Sequence, residues 1–188
     1  MIDILLQTLK QFSPLSEDDL NNIRGLITTK ELKVGDYWFY EGGYATNIAY
    51  ITKGYLRKYL LTEDGEKTDF FYFENDLTGD LPSIITKAPS KSYNVAMEPT
   101  SLLAFSYNEL NKLSEESRNI DRLLRTFAEL AFIRYYEKAN SFVLQSPKER
   151  YLELINTQPK VLQRATQYHI ASYLGITPQH LSRLRASM

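Results

Sequence analysis

The sequence predicts an α+β fold in which a double-stranded β-helix, or jelly roll, lies between helical segments. Three observations predict this order. Apolar residues recur at helical spacing near the amino terminus, β-branched and aromatic residues with frequent turn signals fill the stretch from about Glu31 to Ser106, and helical periodicity returns after Ser117. We assign N-terminal helices and a β-roll to residues 1–116, one long helix to 117–145, and a helical domain to 146–188.

Two short helices are predicted before the β-roll. Ile2, Leu5, Leu6 and Leu9 would share one face of the first helix. The second would begin at Ser16, because serine is a good helix cap and the three acidic residues after it suit the positive end of the helix dipole.

Turn signals divide the middle of the chain into short strands. Asp64-Gly65 separates two apolar runs, which is the pattern of a β-hairpin. Similar signals recur at Gly35-Asp36, Gly42-Gly43, Lys53-Gly54, Asn75-Asp76, Gly79-Asp80 and Glu98-Pro99. Many short strands at this spacing indicate a sandwich, jelly roll or small barrel. We expect an aromatic interior, either ordinary core or partly a pocket lining, made by Tyr37, Tyr40, Tyr44, Tyr50, Phe70, Phe71, Tyr72 and Phe73.

The long helix has more apolar surface than one face can use. A capping-box pattern at Ser106 and Glu109 begins the return to helix, and the long helix then runs from about Ser117 to Leu144. Its apolar positions include Ile120, Leu123, Leu124, Phe127, Leu130, Ala131, Ile133, Tyr135, Phe142 and Val143. One face can cover the β-roll, and the other predicts pairing with a second copy of the chain. The alternative is a single core-facing helix with some exposed aromatic residues.

The last part of the chain has the pattern of a helix-turn-helix. A second capping box, Ser146-Pro-Lys-Glu149, places a hinge at Gln145-Ser146. Thr166 would cap a first short helix, Gly175 would end it with a positive φ, and Thr177 followed by Pro178 would start a second helix. The small Ala171 would let the two helices cross closely. An ordinary helical hairpin in a bundle is the alternative reading.

The second of these helices would present polar side chains opposite its buried seam of Leu181 and Leu184. Gln179 and Arg183 lie one turn apart there, and such side chains reach adenine and guanine edges in a major groove. For Arg183 the alternative is an exposed arginine without a role. The full set of predicted DNA-contacting residues is Gln179, Arg183, His180, Ser182, Thr177, Thr166, Gln167 and Arg185.

The distribution of charge supports the same prediction. The chain as a whole carries a formal net charge of −1. From Ser146 to Met188 there are six Lys/Arg and two Asp/Glu, a net +4, whereas residues 1–145 carry 16 basic and 21 acidic residues, a net −5. A basic footprint confined to the helix-turn-helix segment is typical of DNA-binding domains. Chance asymmetry between two solvated surfaces is the alternative.

Composition excludes several classes of site. Because the chain has no cysteine, it cannot form disulfides, cysteine-ligated zinc sites or iron–sulfur clusters. Its two histidines, His169 and His180, both lie in the helix-turn-helix, so we expect no metal or haem site and no cupin-type enzyme in the β-roll. No signal pattern or membrane-length apolar run is seen, and we expect a cytoplasmic protein.

The order of β-roll, long helix and helix-turn-helix resembles the Crp/Fnr family of bacterial transcription regulators, in particular its short Bacteroidetes-type members. The resemblance spans the chain and is strongest in Lys33-Val-Gly-Asp-Tyr37, Tyr50-Ile-Thr-Lys-Gly54, Leu56-Arg57 and Glu149-Arg150-Tyr151. It implies a homodimer paired through the long helices, a palindromic double-stranded DNA operator, and RNA polymerase as a further partner. It also implies that an effector in the β-roll shifts the arrangement of the DNA-binding domains.

The resemblance also implies where an effector would bind. Cyclic-nucleotide-binding members have Gly-Glu-Leu at the start of a short helix and Arg-Ser soon after. This sequence has Gly79-Asp80-Leu81 and then Ser90-Lys91-Ser92, where no arginine can form a bidentate contact with a phosphate. We therefore expect an unknown effector or none, and no cofactor; a cyclic nucleotide is not favoured, and Gly79-Asp80 can equally be a plain surface turn.

A second departure from the family lies after the recognition helix. Only Ala186-Ser-Met188 follow it, so we expect little or no β-wing and correspondingly few phosphate contacts. This departure leaves an alternative function open, that of a small-molecule or partner-binding β-roll that has lost DNA binding.

Overall fold

The structure is a computed structural model that describes residues 1–187. It is an α+β fold, as predicted, with helices at both ends of a β-roll. The helices are α1 (Ile2–Lys10), α2 (Glu17–Leu26), α3 (Leu81–Thr86), α4 (Tyr107–Glu116), α5 (Arg118–Leu144), α6 (Pro147–Thr157), α7 (Pro159–Arg164), α8 (Gln167–Leu174) and α9 (Pro178–Ala186).

The β-roll consists of two four-stranded antiparallel sheets. Their strand orders are β1-β8-β3-β6 and β2-β7-β4-β5, so that β5 lies at the edge of the second sheet. The strands are β1 (Thr28–Leu32), β2 (Tyr37–Phe39), β3 (Asn47–Lys53), β4 (Leu56–Thr62), β5 (Gly65–Tyr72), β6 (Leu77–Thr78), β7 (Tyr93–Ala96) and β8 (Thr100–Ser106). Apolar side chains from both sheets form one core, which contains Ala49, Ile51, Leu56, Phe70, Tyr72, Ala96, Leu102 and Ala104.

The hairpin predicted at Asp64-Gly65 joins β4 to β5, where Gly65 pairs with Thr62 and has a φ of 98°. The predicted aromatic interior is only partly correct. Residues 70–73 and Tyr50 are buried, but Tyr37, Tyr40 and Tyr44 are 47%, 56% and 68% exposed. Tyr37 lies on the short strand β2, where the pairing with β7 is irregular, and the other two lie in the loop before β3. The alternation that a strand imposes on side chains therefore does not apply to them.

The N-terminal helices pack on the first sheet together with α4 and the start of α5. Their shared core contains Leu5, Leu6, Leu9, Leu20, Ile23, Ile48, Tyr50, Leu103, Phe105, Leu110, Ile120, Leu123 and Leu124. Ser16 caps α2 with a complete capping box, as the sequence predicted. This packing holds the first two turns of the long helix against the β-roll.

The rest of α5 carries exposed apolar side chains. Large apolar residues of this part of the helix are 38–82% exposed, namely Leu130, Phe132, Ile133, Tyr135, Tyr136, Phe142, Val143 and Leu144. The predicted surplus of apolar surface on this helix is therefore confirmed. Within residues 1–187, no helix combines the length and the apolar content that crossing a bilayer would require.

The C-terminal helices share a third core with the β-roll. Tyr55, Phe71 and Phe73 from the roll pack with Tyr151 and Leu154 of α6, with Val161 of α7 and with the helix-turn-helix. The helix-turn-helix residues of this core are Ile170, Ala171, Leu174, Leu181 and Leu184. The helix-turn-helix is thus held by more than its connection to the end of α5. It docks directly on the second sheet, a contact that the sequence did not predict.

Candidate nucleic-acid interface and effector-type domain

Helices α8 and α9 form the predicted helix-turn-helix with the predicted caps. The Thr166 hydroxyl accepts a hydrogen bond from the His169 N–H, and the Thr177 hydroxyl accepts one from the His180 N–H, both at 3.2 Å. Gly175 has a φ of 69°, in the left-handed region that a glycine tolerates best. The Ile176 N–H then donates to the Ala171 carbonyl at 3.0 Å and closes the turn.

The side chains predicted to read bases lie on the outer face of α9. Leu181 and Leu184 are buried, whereas Gln179, His180, Ser182 and Arg183 are exposed. At the amino termini of the two helices, Thr166, Gln167 and Thr177 are exposed as well. The structure thus brings seven of the eight predicted residues to the solvent side of the helix pair.

Arg185 is the exception in this set. It is half-buried, its Nε donates to the Tyr151 hydroxyl at 2.8 Å, and its guanidinium lies 5.5 Å from the centre of the Tyr151 ring. These contacts tie the end of α9 to α6. Arg185 therefore has a structural role in this arrangement.

Most of the basic side chains that gave the C-terminal segment its positive charge are bound within the chain. Lys160 and Arg164 pair with Glu74 of the β-roll at 3.0 and 2.8 Å, and Arg164 also pairs with Glu98. Hydrogen bonding from Arg164 holds the pKa of Glu74 at about 2. With Arg185 on Tyr151 and Arg150 on backbone carbonyls, four of the six basic residues are engaged internally. Two of these residues bind the β-roll and two bind neighbouring helices, so the charge asymmetry does not correspond to a free basic surface.

Helix α8 covers the edge of the second sheet. The Ser172 hydroxyl accepts a hydrogen bond from the Thr68 N–H at 2.9 Å and donates to the Glu66 carbonyl at 3.1 Å. One serine side chain thus satisfies an N–H and a carbonyl at the unpaired edge of β5. One turn earlier on α8, the Nδ1 atom of His169 is buried without a hydrogen-bond partner among the described residues. Burial, with a contribution from Arg57, lowers the pKa of His169 to about 4.

The predicted effector residues separate into buried and exposed groups. Asp80, Ser90 and Ser92 are buried, Leu81 is half-buried and Lys91 is exposed. Gly79 packs closely on β3, where an added Cβ would lie 3.3 Å from the Ile48 Cγ1 atom. Gly79 and Leu81 also line a mostly apolar cavity of about 280 Å³ between α1, α3 and α5.

Two basic residues of the β-roll, Arg57 and Lys58, are buried, which the sequence analysis missed. Lys58 on β4 is 5% exposed, and its Nζ atom lies 2.6 Å from the Tyr135 hydroxyl on α5 and 3.6 Å from Asp69. Lys138, one turn further along α5, lies 3.0 Å from the same carboxylate. Burial together with the carboxylates of Asp69 and Asp80 raises the pKa of Tyr135. Strand alternation would have turned only one of Arg57 and Lys58 inward, and because both are buried, this signal could not have identified Lys58.

These residues do not fit the phosphate of a cyclic nucleotide. Lys91 points to solvent, and the Ser90 hydroxyl is used by the Ser92 backbone, donating to its carbonyl at 2.9 Å and accepting from its N–H at 3.1 Å. Pro82 removes an N–H from the first turn of α3, where a phosphate would seek donors. The buried Oδ1 atom of Asn94, across from Lys58, lacks a hydrogen-bond partner within residues 1–187, but it is an acceptor and a phosphate offers none of the donors it needs.

One protein-family profile matches the β-roll. The sequence profile of the cyclic nucleotide-binding domain family matches residues 29–117. A search of curated protein sequences finds no match to the chain.

Solved structures resemble the chain over most of its length. FixK2 from Bradyrhizobium japonicum superimposes with a TM-score of 0.71 at 19% identity, covering 86% of this chain and 83% of that one. The global regulator CLP of Xanthomonas campestris, described as responsive to c-di-GMP, has a TM-score of 0.69 at 14% identity and covers 92% and 91%. The catabolite activator protein of Thermus thermophilus has a TM-score of 0.59 at 20% identity and covers 94% and 84%. Residues 29–117 therefore match the cyclic nucleotide-binding domain family, and the chain has the fold of the Crp/Fnr regulators.

Proposed function

We propose that this protein is a DNA-binding transcription regulator of the Crp/Fnr type that acts in the bacterial cytoplasm, with RNA polymerase as a further partner. The observation that carries the proposal is the helix-turn-helix itself, with Gln179 and Arg183 exposed one turn apart on α9 opposite the buried Leu181 and Leu184. A helix with this distribution can enter a major groove and bring both side chains to base edges.

Within this proposal the exposed residues have different roles. The amide of Gln179 suits adenine and the guanidinium of Arg183 suits guanine. Thr166, Gln167 and Thr177 lie at helix amino termini, where side chains and free N–H groups meet phosphates. His180 and Ser182 flank the base-reading pair and would contact bases or backbone at the edges of the site.

The test is selection from a random DNA library with the purified protein, at low and at moderate salt. Recovery of a palindromic site is the expected result, and failure at both salts, with and without cell extract, would contradict the proposal. In the same assay Arg183→Ala should cost about 1–3 kcal/mol of specific binding and relax the preference at one base pair per half-site. Arg118→Ala, which removes an exposed arginine from the start of α5, is the matched control and should change neither quantity.

The active form is proposed to be a homodimer paired through α5. Phe132, Tyr136, Ala139 and Val143 follow one another at steps of four, three and four residues, the spacing of a coiled-coil seam. Phe132 and Tyr136 are 67% and 58% exposed in the single chain, with rings stacked 6.0 Å apart. Analytical ultracentrifugation should find a dimer for the parent protein and a monomer for Phe132→Glu; a monomeric parent would contradict this arrangement.

One observation favours an alternative function. Because four of the six C-terminal basic residues are bound within the chain, the docked helix-turn-helix offers little free positive charge. A β-roll that binds a small molecule or a protein partner and no longer binds DNA is consistent with this. The same selection experiment separates the two functions, since the alternative predicts no enriched sequence under any condition.

A further inference from the structure

The carboxyl-terminal ends of α5 and α8 meet at one guanidinium group. Arg150, in the first turns of α6, donates through Nη1 to the Gln145 carbonyl at 2.7 Å and more weakly to the Ser141 carbonyl at 3.4 Å. Through Nε and Nη2 it donates to the Leu174 carbonyl at 3.2 and 3.0 Å. Ser141 and Gln145 end the long helix, and Leu174 is the last residue of the first helix of the helix-turn-helix.

The Ser141 carbonyl already accepts the Gln145 N–H at 3.1 Å, but the Gln145 and Leu174 carbonyls are groups that a helix leaves without partners at its end. They also form the negative end of the helix dipole, so a cation placed there is favourable. A guanidinium has five N–H donors in a rigid plane and can therefore serve two helix ends at once, whereas the compact ammonium of a lysine cannot span both. The geometry at Arg150 thus requires arginine.

A second contact fixes the same junction. Phe142 of α5 lies against the turn of the helix-turn-helix so closely that a Cβ atom on Gly175 would be 2.7 Å from the Phe142 Cε1 atom. The Arg150 guanidinium lies over the same Phe142 ring, 4.7 Å from its centre. The turn therefore approaches the long helix as closely as a glycine permits.

From these contacts we propose that Arg150 is a positioning residue, which together with Phe142 sets the angle between the long helix and the helix-turn-helix. Arg150 lies on α6 and joins the ends of α5 and α8. Within residues 1–187 it forms no hydrogen bond to the recognition helix α9. In the proposed dimer, this angle determines the separation of the two recognition helices and hence the half-site spacing that the protein accepts. This last consequence depends on the proposed function, but the angle itself does not.

The angle can be measured without DNA. The chain has no cysteine, so Arg122→Cys and Ser182→Cys, both at exposed positions, place one spin label on α5 and one on the recognition helix. Double electron–electron resonance on labelled protein diluted into a large excess of unlabelled protein then reports the distance within one chain. We expect one narrow distribution for the parent, a broad or second distribution for Arg150→Gln, and an intermediate result for Arg150→Lys.

The control is Arg118→Gln, which removes an exposed arginine far from the junction along α5 and should leave the distribution narrow. Identical distributions for the parent, Arg150→Gln and Arg150→Lys would overturn the proposal. Should Arg150→Gln fail to fold, Phe142→Leu keeps the guanidinium, removes the ring from the turn and should broaden the same distribution. A narrow distribution for that variant and for Arg150→Lys would then also overturn it.

DNA binding supplies a readout that a loss of stability alone would not change. On the selected operator and on versions with one base pair inserted or deleted between the half-sites, the parent should prefer the selected spacing. In Arg150→Lys this preference should fall by about tenfold, or about 1.4 kcal/mol, while binding to an isolated half-site stays unchanged. If the parent selects no operator, the proposed function fails, and the distance measurement still decides the role of Arg150.

Discussion

Replacing Ser172 by alanine tests whether the helix-turn-helix is docked on the sheet edge as the structure has it. The Ser172 hydroxyl bonds to the Thr68 N–H and the Glu66 carbonyl, both at the edge of β5. The alanine would leave a partly buried donor and a partly buried acceptor without partners. A lost hydrogen bond costs about 1 kcal/mol, and a buried group left unsatisfied costs about 1–3 kcal/mol.

Because the site is only partly buried, water can replace part of what is lost, and we expect Ser172→Ala to lower the free energy of unfolding by about 2 kcal/mol. For a chain of this size that corresponds to a fall in Tm of about 4–8 °C. Urea denaturation followed by circular dichroism measures the first quantity, and thermal unfolding measures the second. Ser182→Ala, at an exposed position on α9, is the matched control and should change stability by less than about 0.5 kcal/mol.

Hydrogen exchange locates the effect. The Thr68 amide should exchange faster in Ser172→Ala than in the parent. Amides in β3 and β8 should slow or speed only as much as the change in global unfolding free energy requires. The reasoning would be refuted if Ser172→Ala were as stable as the control and the Thr68 amide exchanged at the parent rate. That result would mean that α8 does not cover this strand edge in solution.

Three further predictions follow from the same contacts. The pKa of His169 is lowered to about 4 in the folded protein from an ordinary 6.5, so as pH falls the unfolded chain binds the proton before the folded one does. The free energy of unfolding should therefore fall as pH drops from 6.5 towards 4. His169→Gln should make this fall smaller, as measured by urea titrations at several pH values. Cyclic AMP at millimolar concentration should not raise Tm, whereas a ligand present at a hundred times its Kd would stabilise the protein by about 2.7 kcal/mol. Lys160→Ala should not change the salt dependence of operator binding, measured as the slope of log K against log salt concentration, because Lys160 pairs with Glu74. If Lys160 instead contacted a phosphate, its loss would change that slope by about 0.9.

Local signals in the sequence predicted the elements of this fold well. The caps at Ser16, Ser146, Thr166 and Thr177 are each formed by a side-chain oxygen and an N–H three residues later, so the information lies within one turn of helix. The positive φ of Gly175 is equally local. For this reason the helix-turn-helix and the candidate DNA-contacting face could be found without any knowledge of the tertiary structure.

The contacts between elements could not be found in this way. Lys58 and Tyr135 are 77 residues apart in the chain, and Ser172 and Thr68 are 104 apart. A register irregularity between Lys58 and Tyr59 further obscures which side chains of β4 face inward. Pairing at such separations depends on how the sheet and the long helix are placed, which hydrophobic periodicity does not determine.

The net charge of the C-terminal segment can be read from the sequence, but which of its basic residues are free depends on tertiary contacts. This bears on the proposed DNA recognition. The net +4 of the C-terminal segment suggested a basic surface, yet Lys160 and Arg164 neutralise Glu74 and Glu98, and Arg150 serves helix carbonyls. Under the proposed function, few free cations remain in each copy of the chain for phosphate contacts, so affinity should depend on both recognition helices of the proposed dimer binding at once. Two correctly placed half-sites then add their binding energies, whereas a misplaced pair loses one of them completely. For such a protein, contacts that orient the helix-turn-helix should matter more for operator binding than any single basic side chain on its surface.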